Sequence, residues 1–187
     1  MTPVLRSLAV SLLLVSAAPA AGSASFANRS IGLEVGAFKF FGDGDLVDFG
    51  VPISLTGSFY IDSSFVFFLH GSVNVFNQRA FVGPRGEGGI VLGGGGQLGL
   101  RYLFLEESIR PYVDLYVAVL GIGRPDQREA TSQPPKFFLG PGAGGGVDFF
   151  ITDSISAGPR VFFDLFITLN ATPRYALGGA ITASTYW

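Results

Sequence analysis

The sequence predicts an all-β chain: an eight-stranded, antiparallel, up-and-down transmembrane β-barrel, preceded by a cleavable signal peptide. Three observations point there. The first is composition. Hydrophobic residues make up 48% of the 187 and charged residues only 14%, where a soluble domain has about 25% charged. Lysine occurs only at Lys39 and Lys136, too sparsely for a well-solvated surface. Yet nothing after the N-terminal segment is a charge-free apolar run long enough for a helical span of about 20 residues. The second is period-2 alternation, the pattern of a strand with two unlike faces. The third is that longer and shorter links alternate between the strands, as in barrels with short periplasmic turns and longer outer loops.

The elements follow in order. Residues 1–24 carry Arg6, an apolar stretch from Leu8 to Val15 and then small residues. This is the layout of a secretory signal peptide, with cleavage somewhere between 20 and 27 and the barrel domain over 25–187. Loss of Arg6 leaves 11 basic against 14 acidic residues, a balance that argues against a nucleic-acid partner. Strands are expected at about 30–41, 49–61, 65–76, 90–104, 110–122, 137–151, 155–167 and 175–187. Each meets the roughly 9–11 residues a tilted strand needs to cross hydrocarbon. The links between them fall at about 42–48, 62–64, 77–89, 105–109, 123–136, 152–154 and 168–174. An even strand number leaves both termini on the periplasmic side.

One face of each strand is apolar. It reads Ile31, Leu33, Val35 in the first, Val51, Ile53, Leu55 in the second, Val113, Leu115, Val117, Val119 in the fifth and Val161, Phe163, Leu165, Ile167 in the seventh. Lys39 is the one charge on it. The other face holds Glu34, His70, Gln97, Arg101, Asp114, Asp148, Arg160 and Asp164, with glycines such as Gly140, Gly142, Gly144 and Gly146 between them. A soluble barrel would wet this second face and load it densely with charge. Small residues with isolated ions suit a narrow, side-chain-filled lumen instead. Aromatics near strand ends predict two interfacial girdles: Phe59, Tyr60, Phe65, Tyr102, Phe104, Tyr112, Phe149, Tyr186 and Trp187 at the periplasmic rim, and Phe40, Phe41, Phe49, Phe76, Phe137 and Tyr175 at the outer rim.

The stretch "GAGGGVDFFITDSISAGPRVFF", Gly142 to Phe163, resembles the penultimate hairpin of small OmpA/OmpX-like outer-membrane barrels. There a glycine-rich strand, an aromatic pair, a Thr-Asp turn and the next strand follow in that order. The final strand is similar to the C-terminal signal of the same class. Tyr175, Leu177, Ile181 and Trp187 share its lipid face, and Trp187 stands where the class usually has phenylalanine. The resemblance implies residence in the bacterial outer membrane after Sec export, contact with outer-membrane lipids and possible contact with lipopolysaccharide. It also implies handling by periplasmic chaperones and the outer-membrane assembly machinery.

Candidate chemistry centres on the lumen. Glu34, Asp114, Asp148 and Asp164 face Arg101 and Arg160, with Arg110 at the lower mouth. Such groups must pair in a low-dielectric interior. A salt-bridge plug is favoured over a gated ion or proton path, because an eight-stranded barrel is only just wide enough for its own side chains. His70, the single histidine, also belongs to the lumen face. Some small outer-membrane barrels are lipid-modifying enzymes with a Ser/His site on the outer surface. Here the base would point inward and no serine motif marks a nucleophile, so no enzyme activity is expected. Asp43, Asp45 and Asp48 in "GDGDLVD" are a weak Ca²⁺ candidate. Their spacing is not that of an EF-hand loop, and a solvated turn is the better reading. No cofactor motif is present; "VLGGGGQLG" is strand glycine and not a phosphate-cradling loop. Arg79, Arg85, Arg124, Arg128, Lys136 and Arg174, all expected in outer loops 2–4, outnumber the acids Glu87, Asp126 and Glu129 of those loops and could meet lipopolysaccharide phosphates. The expected role is structural: membrane stabilisation or loop display. A narrow passive conduit for small or apolar solutes is the alternative.

Overall fold

The computed structural model describes residues 28–41, 49–77, 90–104, 108–122, 136–168 and 171–187. The expected signal peptide, Asp43, Asp45 and Asp48, and Arg79, Arg85, Glu87, Arg124, Asp126, Arg128 and Glu129 lie outside the described residues. Eight strands form one closed sheet: β1 (Arg29–Phe41), β2 (Phe49–Tyr60), β3 (Phe65–Asn77), β4 (Ile90–Leu103), β5 (Ile109–Ile122), β6 (Lys136–Thr152), β7 (Ile155–Thr168) and β8 (Ala171–Tyr186). Each pairs antiparallel with its neighbour in the chain, and β1 pairs with β8 from Ser30↔Tyr186 to Phe41↔Tyr175. Closure leaves no edge strand with unpaired backbone groups, the condition for a sheet in hydrocarbon.

The side chains are arranged inside out. In β5, Val113, Leu115, Val117 and Val119 are exposed, while Tyr112, Asp114, Tyr116, Ala118 and Leu120 between them are buried. The same holds for Leu33, Val35, Ile53, Leu55, Leu69, Val73, Val161 and Ile181 on the exposed side. Water would penalise that much exposed apolar surface at about 25 cal/mol per Å². A bilayer does not, so the exterior is a lipid-facing band. Lys39 lies near one rim of the band with its Nζ 5.6 Å from the Phe41 ring centroid, and Arg29 is exposed at the other rim. Both are placed where a long cationic chain can reach the headgroups.

Two expectations need correction. The strand β8 begins at Ala171 and not near 175, so β7 and β8 are joined through residues 169–170 alone. The alternation of long and short links therefore fails at the last one, and Arg174 is a strand residue opposite Phe166. "ATPR" reads as a link because proline cannot donate to a ladder. The sheet accommodates it with a register shift between Phe166 and Thr168, opposite Pro173. The girdles are also smaller than expected. Tyr112, Tyr186, Phe40 and Phe76 are buried and face inward, and Tyr60 packs against the inner cluster of Val66, Leu103 and Tyr112. The outward aromatics are Phe59, Phe65, Tyr102, Phe104, Phe149 and Trp187 at the short-turn end, and Phe41, Phe49, Phe137 and Tyr175 at the other.

The inner face is packed by matching large side chains to glycine. A Cβ on Gly142 would collide with the Tyr116 ring, and one on Gly146 would lie 2.5 Å from the Tyr112 hydroxyl. The bare inner face of β6 is thus the bed on which the tyrosines of β5 lie. Gly50 does the same for Phe38, and Gly178 for Phe162. Eight strands leave an interior just wide enough for side chains, and these glycines let rings lie flat across it.

Candidate functional site

The lumen is the one place where the fold concentrates polar chemistry among the described residues. At its centre, Arg160 of β7 reaches three other strands. Its Nε donates to Asp114 Oδ2 at 3.0 Å, its Nη1 to both Glu34 oxygens at 3.2 Å, and its Nη2 to Gln97 Oε1 at 3.1 Å. Arg101 of β4 grips the same Asp114 in two-point fashion, Nε to Oδ1 at 2.8 Å and Nη2 to Oδ2 at 3.3 Å. A longer contact of 3.8 Å joins Arg101 to Asp148 of β6. The Tyr186 hydroxyl of β8 donates to Asp148 at 3.4 Å and shares a 3.0 Å hydrogen bond with Ser156. Arg101 also stacks on the Tyr112 ring at 3.7 Å. Asp114 is fully buried, and the Arg160 side chain is 2% exposed. Burying a charge is costly unless it is paired and hydrogen-bonded, and each guanidinium here meets that requirement through planar, fork-like geometry.

Of the expected network, Glu34, Arg101, Asp114, Asp148 and Arg160 come together. Asp164 and His70 do not join the ion pairs. Asp164 lies one level nearer the long loops, opposite Gly142 and Ala176, and its Oδ1 is buried with no hydrogen-bond partner. The expectation that every lumen acid is paired fails there, because Arg160 is already engaged by Asp114, Glu34 and Gln97. His70 is buried beside Gln97 on the neighbouring strand. Its inward aim separates it from the lipid phase. Arg110 sits at the short-turn mouth, its guanidinium 4.3 Å from the Phe150 ring centroid.

The sequence reading missed an aromatic lid. Phe38, Phe40, Phe76, Phe138, Phe162 and Phe166 are all buried and face inward at the long-loop end. Their rings meet at centroid distances of 5.2 Å (Phe38–Phe40), 5.8 Å (Phe38–Phe76), 6.0 Å (Phe40–Phe166) and 6.1 Å (Phe138–Phe166), within the range for favourable edge and tilted contacts. Arg174 lies over Phe138 at 5.5 Å. The missing signal was parity. These six positions share the alternation of Glu34, Asn74, Gly140 and Asp164, so they belong to the inner face despite being near strand ends.

The lid and the ionic layer leave little space. One cavity of about 40 Å³ lies between them, bounded by Glu34, Ser54, His70, Asn74, Asp164 and Phe162 among others. A second of about 20 Å³ lies below, along Glu34, Ser58, Arg101 and Tyr186. Since a water needs roughly 10–15 Å³ on this measure, neither is a channel. On the lipid side, an open groove of about 690 Å³ runs over Leu92–Gly96, Val119–Ile122 and Phe137. It shares Ser72, Gly95, Gly96, Val119 and Leu120 with the upper cavity. There the wall of the barrel is little more than the glycine backbone of β4.

No protein-family model matches the chain, and no curated protein matches it in sequence. Solved structures do match in fold. The outer membrane protein OprG from Pseudomonas aeruginosa superposes with a TM-score of 0.61 at 13% identity, over 86% of this chain and 96% of that one. Neisserial surface protein A gives 0.62 at 10% identity, over 86% and 97%. Ail, the attachment invasion locus protein of Yersinia pestis, gives 0.52 at 11%, over 84% and 96%. At these identities the likeness is one of fold: this chain has the architecture of the small eight-stranded outer-membrane barrels.

Proposed function

We propose that this chain is a closed, structural outer-membrane barrel that stabilises the membrane and displays its long loops outward, with both termini on the periplasmic side. The observation that carries the reading is the filled lumen among the described residues: an ionic layer fixed by Arg160 and Arg101, roofed by six phenyl rings, with a cavity of about 40 Å³ between them. The fold neighbours support the membrane assignment, and the inward aim of His70 supports a role without lipid chemistry. Outer-membrane lipids are its surroundings, and the second and third long loops, with Arg79, Arg85, Arg124 and Arg128 against Glu87, Asp126 and Glu129, suit contact with lipopolysaccharide phosphates. Delivery runs through periplasmic chaperones and the assembly machinery, with the β8 face Tyr175, Leu177, Ile181 and Trp187 as the recognised signal. The test is twofold. The mature chain should fractionate with outer membranes, and the purified barrel should pass little or no current across a planar bilayer. A steady, high conductance overturns the closed barrel.

One observation favours a second reading. The backbone-thin wall at Gly93–Gly96, between the upper cavity and the lipid-facing groove, would suit lateral passage of a small apolar solute. Bulk on that wall separates the two: Gly94→Leu, whose Cβ would meet only the Ser72 carbonyl at 3.7 Å, should leave a structural barrel unaffected, whereas it should slow solute uptake by vesicles if the wall is the route.

A further inference from the structure

The upper cavity combines a buried carboxylate that no guanidinium holds, one of its oxygens without a hydrogen-bond partner, with an oxygen-rich lining. Asp164 is 5% exposed and Ser54 2%, and Asp164 Oδ1 and Ser54 Oγ are buried without a hydrogen-bond partner. Both line the same cavity of about 40 Å³, together with Glu34, Ser72 and Asn74. Leaving one buried polar atom unsatisfied costs about 1–3 kcal/mol, and more when it is charged. A water alone would supply a hydrogen bond to Asp164 but no charge. Of the buried acids, Glu34 and Asp114 are held by Arg160 or the partly exposed Arg101, and Asp148 lies 3.8 Å from Arg101. Arg110 and Arg174 stand further out, over Phe150 and Phe138 at the two mouths. Among the described residues no group of three His, Cys, Asp or Glu side chains converges for a metal, and of the two carboxylates in this lining Arg160 already holds Glu34, which leaves one carboxylate and matches an ion of single charge.

We propose that the cavity between the ionic layer and the phenylalanine lid binds one partly hydrated monovalent alkali cation, held by Asp164 with Ser54 as a neutral oxygen ligand. The volume fits one ion with one or two waters. Glu34 on the floor adds negative potential, although Arg160 holds both of its oxygens. The rings of Phe38, Phe162 and Phe166 line it, and an apolar wall strengthens the attraction between carboxylate and cation. The ion thereby completes the plug that the arginines leave unfinished. The inference rests on the closed lumen, but it is tested without measuring current, so the two can fail separately.

The experiment measures unfolding of the refolded barrel in detergent by urea; guanidinium is avoided because it is itself a monovalent cation. Sodium, potassium and the bulky N-methyl-D-glucamine cation are compared at one ionic strength. At an alkali concentration about ten times the dissociation constant, the folding equilibrium constant should rise about tenfold over N-methyl-D-glucamine. Asp164→Asn should abolish that difference, while Asp153→Asn, in the exposed β6–β7 turn, should retain it. Crystals of the wild-type chain in thallium(I) should also give an anomalous peak beside Asp164, a readout that stands even if Asp164→Asn fails to fold. Indifference of the wild type to the cation, or a crystal at saturating thallium with no peak at Asp164, overturns the proposal and leaves a proton as the counter-charge. An equal cation response in Asp164→Asn also overturns it, by locating the ion elsewhere.

Discussion

Arg160 carries the strongest prediction at the scale of one residue. It joins β7 to β1, β4 and β5 through Glu34, Gln97 and Asp114, and its side chain is 2% exposed. Removing it strands the buried Glu34 carboxylate and leaves Asp114 to Arg101 alone. Arg160→Ala should therefore destabilise the barrel by about 3–5 kcal/mol. Arg29→Ala, which removes an exposed rim charge, should cost under about 1 kcal/mol. Urea unfolding of both variants in detergent measures the difference, and equal costs would remove the plug from the account of stability. The membership of this network was legible in the sequence, because alternation alone puts Glu34, Arg101, Asp114 and Arg160 on the inner face. Its wiring was not. Which acid each arginine reaches depends on the shear that brings β7 across from β4, and no local pattern encodes that. Asp164 shows the limit. It lies on the same face as its fellow acids, yet it has no guanidinium because Arg160 is fully engaged one level below.

At the scale of the element, glycine has opposite meanings on the two faces of a strand. On the inner face of β6, Gly142 makes room for the Tyr116 ring. Gly142→Ala must displace that ring and should cost about 1–3 kcal/mol, as overpacking does. On the lipid face of β3, nothing lies within 4 Å of a Cβ at Gly71. Gly71→Ala should be neutral or stabilising by about 0.4–1 kcal/mol, through the entropy of the unfolded chain. The same unfolding measurement checks both, and an equal loss at the two positions would contradict the ring-on-glycine packing. Strand existence was legible throughout, since alternation and turn residues mark all eight. What failed came from reading strand ends by residue type. Pro173 suggested a link where a register shift keeps β8 in the sheet. Phe40 and Phe76 suggested a girdle where parity turns both into the lid. The period was the better guide in each case, because a face is fixed along the whole strand while local composition is not.

At the scale of the molecule, closure is the property on which the others depend, and its seam runs between β1 and β8. Trp187 contributes there in two separable ways. Its backbone continues the seam: the Arg29 N–H donates to the Trp187 carbonyl at 3.2 Å, and the Trp187 N–H donates to the Arg29 carbonyl at 3.1 Å. Its side chain, 55% exposed, belongs to the outward girdle with Phe59 and Phe149. Deleting Trp187 removes both contributions, whereas Trp187→Ala removes only the ring. Each seam hydrogen bond is worth about 0.5–1.5 kcal/mol net, so the deletion should weaken the detergent-folded barrel modestly and more than Trp187→Ala does. The pairs from Ser30↔Tyr186 to Phe41↔Tyr175 remain to close it. Recognition by assembly machinery would weigh the two variants differently. If the terminal aromatic is the feature read, Trp187→Ala should lower the amount of barrel in the outer membrane about as much as the deletion does, while Trp187→Phe should restore it. Comparing membrane yield in cells with spontaneous folding yield in detergent separates recognition from stability. Wild-type membrane yield from Trp187→Ala would exclude the ring as the signal and leave the seam backbone as the contribution of this residue.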